Sequence, residues 1–244
     1  MSTEGDYLQA QRDFWNVDER TARFGRVDTV SHSEEEYEYL AERDIGLVLT
    51  GLNASRNWII LEIGCGVGRL LSRLILRVQP AKAIGVDIAE NMIQYARKAL
   101  GHLENVELMV NSGADLSMVP DASVDFVYSN DVFIHVHDIN VVRSYFREVS
   151  RILKPRAFFR FNTRRMDTDH MFSNSPGGLL AKVGYKSGVL SPLSHGKPNP
   201  GFSGIHYRKR DIKKLTTNTG LSLKSIQPID GPEEKKFWCT CIKK

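Results

Sequence analysis

Between Leu61 and Leu70 the chain reads Leu-Glu-Ile-Gly-Cys-Gly-Val-Gly-Arg-Leu, with glycine at 64, 66 and 68. An apolar run from Trp58 to Ile63 leads into this string, and apolar residues at helical spacing from Leu70 to Val78 lead out of it. The glycines therefore fall where a strand gives way to a helix. Alternating glycines let the backbone turn sharply and approach a ligand that any Cβ would push away. The spacing is GxGxG with no Lys-Ser or Lys-Thr after it, which rejects a triphosphate-gripping loop. A nicotinamide dehydrogenase, whose fingerprint is GxGxxG, is disfavoured for the same reason. What remains is a nucleotide cofactor held without that grip.

A second signal follows in Gly85-Val86-Asp87-Ile88, whose acid lies 23 residues after Gly64. In an α/β nucleotide site an acid about twenty residues on, at the end of the second strand, accepts hydrogen bonds from ribose hydroxyls. Asp87 fits that role. Its competing role is as N-cap of the helix beginning at Ala89, and the glycine loop at the right distance favours ribose. The apolar runs Trp58 to Ile63, Ala83 to Val86, Val106 to Val110, Val124 to Tyr128 and Ala157 to Phe161 read as strands. Leu70 to Val78, Asn91 to Leu100 and Ile139 to Leu153 between them carry helical spacing. Continuous apolar strands alternating with helices predict a doubly wound α/β domain with a mostly parallel sheet.

The segment up to Leu52 reads as helical. Ser33-Glu34-Glu35-Glu36 has capping-box spacing, which predicts a helix from Glu34 with Tyr37, Leu40, Ala41, Ile45 and Val48 on its apolar face. After Thr163 the periodicity stops for about forty residues rich in turn formers, the signature of an insertion with a function. It resumes with a helix from Asp211 to Thr219 and strands from Leu221 to Ile226 and Lys236 to Ile242. The chain thus reads as one domain over 1–244. It has a helical cap at 1–52, a cofactor-binding core at 57–163, a lid insertion at 164–206 and a closing helix with strands at 207–244.

Composition excludes several classes. The longest apolar runs are about six residues where a membrane helix needs ~20, and the acidic opening Ser2 to Asp6 lacks the parts of a secretory signal. A cytoplasmic location is expected, with no membrane partner. Three cysteines cannot close a complete disulfide set, and Cys239 and Cys241 share one face of a strand, so reduced thiols are expected. No cysteine–histidine spacing suits zinc, and no metal is expected. The formal charge of +4 hides a division, with a net −7 over residues 1–44 and +12 over residues 143–214. The preferred reading is two solvated faces that attract one another across the fold, ahead of a basic surface for nucleic acid.

LEIGCGVGRL, GVDIAENMIQYAR, the stretch from Asn111 to His135 and Arg151-Ile152-Leu153-Lys154-Pro155 occur in an order and spacing that resemble the class I S-adenosylmethionine-dependent methyltransferases acting on small molecules. The resemblance covers roughly Asn57 to Thr163. It implies a Rossmann-like sheet of seven strands with the last antiparallel, matching the strands read above, and S-adenosylmethionine as cofactor with S-adenosylhomocysteine as product. By motif position Gly64, Cys65, Gly66 and Gly68 lie beneath the methionine part, with Glu62 just before them. Asp87 is the ribose acid, and Ile88 and Met92 are apolar neighbours of the adenine. Gly113, Ala114, Asp115 and Leu116 form the segment where an acid takes the adenine amino group, with Asp115 preferred over Asp121, which reads as a turn residue. Asn130 and Asp131 border the methionine moiety at the end of the fourth strand. One departure stands out: where members often carry Lys-Pro-Gly-Gly, this chain has Lys154-Pro155-Arg156-Ala157, so that turn must be built differently.

His135 matches a histidine that many such enzymes carry after the fourth strand and is the candidate base, with a hydrogen-bonded or helix-capping role equally weighted. For His137 the structural role is preferred. The acidic N-terminal helices and the insertion are expected to cover the carboxyl edge of the sheet. Phe14 and Trp15 are candidates for the lid, and His170, His195, His206 and Tyr207 for the acceptor pocket. The leading functional expectation is methyl transfer to an O, N or C nucleophile of a small molecule, with no oligomeric state implied. The alternatives are an RNA methyltransferase using the basic half, whose scarcity of aromatic residues disfavours nucleic acid, and a non-catalytic cofactor-binding scaffold on the same fold.

Overall fold

The apolar runs pair side by side in a single sheet. β1 (Ile59–Ile63), β2 (Lys82–Asp87), β3 (Val106–Val110), β4 (Val124–Ser129) and β5 (Leu153–Arg165) run parallel to one another. β7 (Leu221–Asp230) and β8 (Lys235–Lys243) close the chain, β8 running antiparallel to both β5 and β7. The strand order is β3-β2-β1-β4-β5-β8-β7. The computed structural model describes residues 4–27, 31, 33–165, 204–230 and 235–244. The seven expected strands are all present, and a two-residue strand not foreseen, β6 (His206–Tyr207), pairs with the end of β5.

Helices α4 (Arg69–Val78), α5 (Glu90–Leu100), α6 (Ile139–Ile152) and α7 (Lys209–Thr217) fall on the periodic stretches between strands. Before them come α1 (Glu4–Trp15), α2 (Glu19–Ala22), a π-helical turn over Arg23–Val27 and α3 (Glu34–Leu49). Ser33 caps α3, its hydroxyl oxygen accepting the Glu36 N–H at 3.1 Å, so the helix begins where the capping spacing predicts.

Successive strand residues point to opposite faces, which separates the core into two layers. Ile60, Phe126 and Tyr128 pack with Leu70 and Leu74 of α4 and Ala41 and Ile45 of α3. Leu61, Val127, Phe159 and Phe161 pack on the other face with α6 and α7. There Phe133, Phe146, Phe159 and Phe161 form an edge-and-stack cluster with centroids as close as 4.8 Å, each contact adding about 0.5–1.5 kcal/mol beyond burial. The Lys154–Ala157 turn is a bulge in the β4–β5 register, and Arg156 itself takes the left-handed conformation at φ +66°. That costs a non-glycine residue about 1–2 kcal/mol.

Among the described residues, three carboxylates of α3 pair with α4: Glu38 with Arg73, Glu42 with Arg77 at 3.2 Å and Asp44 with Arg69 at 3.2 Å. One expectation is corrected: α3 is not part of a cover on the carboxyl edge. It lies on a sheet face beside α4, and the buried Arg160 of β5 ties down its end by donating to the carbonyls of Leu47, Val48 and Thr50 at 2.6–3.1 Å. Apolar spacing places a helix against something; it does not say which side of the sheet.

Candidate functional site

At the carboxyl ends of β1, β2 and β4 a cleft encloses roughly 1000 Å³ between protein atoms, its open mouth included. Its floor is the glycine loop. Two N–H groups, those of Gly64 and Cys65, donate to the Val86 carbonyl at 2.7 and 3.0 Å, and the Gly66 N–H donates to Asp87 Oδ2 at 2.9 Å. The loop is thus pinned to the end of β2. Gly64 sits at φ +72°, and a Cβ there would fall 2.1 Å from Val132 Cγ2. On the far side Gly113, at φ +93°, is equally constrained, since a Cβ would meet Ile88 Cδ1 at 2.3 Å. Both glycines therefore serve a positive φ and a close approach together.

Asp87 is buried in the cleft wall, and its other oxygen accepts the Ala89 N–H at 3.0 Å. One carboxylate thereby joins the glycine loop to Ala89, the residue before α5. Glu62, buried at the end of β1, accepts the Tyr128 hydroxyl at Oε2 at 2.9 Å and is also met by the Leu71 backbone N–H. Burial pushes its carboxyl up to about 8, against the hydroxyl and Arg69, which pull it down. Burial likewise raises Asp87, opposed by its backbone N–H donors, and raises the Cys65 thiol.

The opposite wall follows β4. Asp131 holds φ +57° and exchanges two bonds with Asn162, donating its N–H to Oδ1 at 2.7 Å and accepting from Nδ2 at 2.8 Å. Lys236 reaches it from β8 at 2.8 Å. Burial works against the ionised form, yet Lys236 and His135 hold this carboxyl below its usual range. His135 lines the cleft edge-on to Trp15, centroids 5.1 Å apart. His137 instead packs on Tyr7 at 4.1 Å and donates its backbone N–H to the Tyr7 hydroxyl, in line with the structural role expected for it.

Of the residues read from sequence, Glu62, Gly64, Cys65, Gly66, Asp87, Ile88, Met92, Gly113, Asn130, Asp131 and His135 all come together in this cleft. Among the described residues lining it, Gly68, Ala114, Asp115 and Leu116 are not found. Gly68 sets the first turn of α4 at φ +84°. The Asp115 carboxylate is engaged by the hydroxyl of Ser112 and by both N–H and hydroxyl of Ser117. The Leu116 N–H donates to Glu148 at 3.1 Å. Trp15 lines the cleft, whereas Phe14 packs under Arg26 at 4.1 Å. His206 and Tyr207 belong to β6, and Tyr207 borders a separate small apolar space with Phe133 and Ile212. His170 and His195, with most of the 164–206 insertion, lie outside the described residues.

Sequence reasoning missed Tyr7, Leu8 and Gln11 of α1, Arg26 of the π-helical turn, and Arg69, Asn111 and Tyr145. Asn111 directly follows β3, and the rule that ligands gather at carboxyl strand ends would have found it.

Residues 60–156, which carry β1 to the start of β5, match the family model described as a methyltransferase domain. Over that stretch the chain is similar to methyltransferase domains. It is 32% identical over 135 residues to a malonyl-[acyl-carrier protein] O-methyltransferase of Hahella chejuensis, covering 53% of this chain and 46% of that protein. An uncharacterized 37.1 kDa protein in transposon Tn4556 of Streptomyces fradiae is 30% identical over 186 residues, or 75% of this chain and 49% of its own. The chain thus spans about half the length of these curated relatives, or less. Among solved structures, geranyl diphosphate C-methyltransferase from Streptomyces coelicolor A3(2), in complex with Mg2+, geranyl-S-thiolodiphosphate and S-adenosyl-L-homocysteine, shares the fold with a TM-score of 0.67 at 14% identity over 100% of both chains. The cleft suits the family's cofactor on its own terms. It has a backbone cradle that side chains at 64 and 113 would fill, and two buried carboxyl groups for a ligand that carries hydroxyls and positive charge.

Proposed function

We propose that this protein transfers a methyl group from S-adenosylmethionine to an O, N or C nucleophile of a small molecule. The observation that carries the reading is the placement of the glycine loop, Asp87 and His135 on facing walls of one cleft. Glu62, Gly64, Cys65 and Gly66 would hold the methionine part, Asp87 the ribose, and Ile88, Met92 and Gly113 the adenine. Asn130 and Asp131 would border the sulfur side. When bound, S-adenosylmethionine supplies an activated methyl carbon on a sulfonium, so no covalent enzyme intermediate is needed.

The protein's own work is positioning and exclusion of water. Orienting two reactants can be worth about 7–11 kcal/mol, and α1 supplies the cover through Tyr7, Leu8, Gln11 and Trp15. His135, on the wall beside Trp15, takes the proton of a hydroxyl or ammonium acceptor. A nucleic-acid substrate finds less support, because Arg151, Lys154, Arg160 and Arg208 of the basic half are engaged within the fold by Glu148, Asp125, helix-end carbonyls and Asp211. The small-molecule reading also agrees with the names of the curated and structural relatives.

The test is titration calorimetry with S-adenosylhomocysteine, followed by a labelled-methyl screen of cell extracts with wild type and His135→Ala. Binding with acceptor-dependent transfer that His135→Ala suppresses supports the reading. Absence of binding refutes it, and binding without transfer to any acceptor would identify a scaffold.

A further inference from the structure

The cleft floor carries an arrangement that the reaction itself does not require. Two carboxyl groups, Glu62 at the end of β1 and Asp87 at the end of β2, are buried on the same wall at 2% and 9% exposure. The neighbouring cation, Arg69 of α4, donates to Asp44 at 3.2 Å and stacks over Tyr37. The Cys65 thiol and the Tyr128 hydroxyl complete the titratable groups packed around Glu62, and both are held neutral by burial. The remaining charged or titratable groups of the cleft wall are Arg26, Asp131 and His135.

Two buried acids with so little compensating charge do not both ionise cheaply. The hydrogen bonds decide which one keeps a proton. Asp87 accepts the N–H groups of Gly66 and Ala89, donors that can serve only an acceptor and so favour its carboxylate. Glu62 meets the Tyr128 hydroxyl, which can equally accept from a protonated carboxyl, and a single backbone N–H, that of Leu71, against three for Asp87. We infer that Glu62 is a neutral acid while the cleft is empty and becomes a carboxylate when a cationic ligand enters, so that cofactor uptake releases a proton. The inference rests on the cofactor reading above and assigns its floor a regulatory property: affinity rises with pH across the neutral range. Burial, opposed by the Tyr128 hydroxyl, Arg69 and the Leu71 N–H, leaves the empty-site titration near 8. An entering ammonium or sulfonium replaces the missing positive charge and lowers that value.

The experiment is calorimetry of S-adenosylhomocysteine binding to the full chain and to Glu62→Gln, in paired buffers of different ionisation enthalpy. The substitution keeps an oxygen to accept the Tyr128 hydroxyl. The wild type is expected to release close to one proton at about pH 7 and to bind about tenfold tighter per pH unit between about pH 6 and 7.5, levelling near 8. Glu62→Gln is expected to lose both effects, while any proton exchanged by the ligand's own amine persists in both proteins. An equal proton count and equal pH slope in the two proteins overturns the proposal and leaves the cofactor reading intact. Absence of binding at every pH overturns both. Should Glu62→Gln fail to fold, infrared difference spectra of the wild type decide. Loss of a carboxylic-acid carbonyl band on ligand addition supports the proposal, and its absence refutes it.

Discussion

Alanine at position 64 tests the steric logic of the cleft floor. The new methyl would lie 2.1 Å from Val132 Cγ2 and 3.4 Å from Val132 Cβ, at a φ of +72°. Two costs arise and they separate. A non-glycine residue in the left-handed region costs about 1–2 kcal/mol, and forcing the overlap apart costs about 1–3 kcal/mol. Gly64→Ala should therefore lose about 2–5 kcal/mol in urea unfolding, with a melting point lower by roughly 4–20 °C at 2–4 °C per kcal/mol for a chain near this size.

Val132→Ala removes both γ-methyl groups and with them the 2.1 Å overlap. In that background Gly64→Ala should cost only the conformational part, about 1–2 kcal/mol, giving a coupling of about 1–3 kcal/mol between the sites. Because Val132 lines the cleft, the single variant should also bind S-adenosylhomocysteine more weakly, and the double variant should recover part of that loss. A Gly64→Ala protein within about 0.5 kcal/mol of wild type, or a penalty unchanged by Val132→Ala, would refute the reasoning.

Asp87→Ala should weaken S-adenosylhomocysteine binding at least about 100-fold by calorimetry, since bonds to a charged acceptor are worth about 1.5–3 kcal/mol each; unchanged affinity rejects the ribose assignment. His135→Ala should slow methyl transfer about 10²–10⁴-fold while leaving that affinity within about threefold, and a loss seen only in affinity rejects a base. Arg160→Met should cost about 2–4 kcal/mol in urea, because the α3-end carbonyls lose their buried donor; a change under about 0.5 kcal/mol means water replaces it. Glu62 is raised from 4.5 to about 8 in the folded protein, so stability is unaffected below the unfolded value and falls as pH climbs from there to about 8, by on the order of 4–5 kcal/mol. Glu62→Gln should accordingly melt above wild type at about pH 8.5 and alongside it near pH 4.5; the same difference at both pH values refutes the burial argument.

What the chain disclosed about itself divides along physical lines. Gly64, Gly113 and Asp87 were legible because few residue types can hold a positive φ under a close neighbour or place a carboxylate at a strand end. The strands and the α3 start were legible for a like reason, as buried runs and a capping serine leave marks. Asp115 shows where this stops. Hydroxyls three residues before and two after it reach its carboxylate locally, and such short-range bonds compete with any distant partner. The cover was harder still. Tyr7, Leu8, Gln11 and Trp15 share a helix face, and spacing alone cannot tell a face packed on a core from one turned into a cleft.

The acidic part of the charge division bears on the cleft's polarity. Asp44, Glu38 and Glu42 of α3 meet Arg69, Arg73 and Arg77 of α4, the helix that leaves the glycine loop. Exposed pairs of this kind add little stability singly, but Arg69 and Asp44 are both buried. Asp44 pairs with Arg69, and a buried cation so paired offsets the acids of the floor less. With Glu62 protonated, Asp87 carries the floor's negative charge until an entering cation ionises Glu62 as well. An N-terminal helix that never touches the cleft thus decides that the floor favours a ligand with positive charge, such as one bearing a sulfonium and an ammonium.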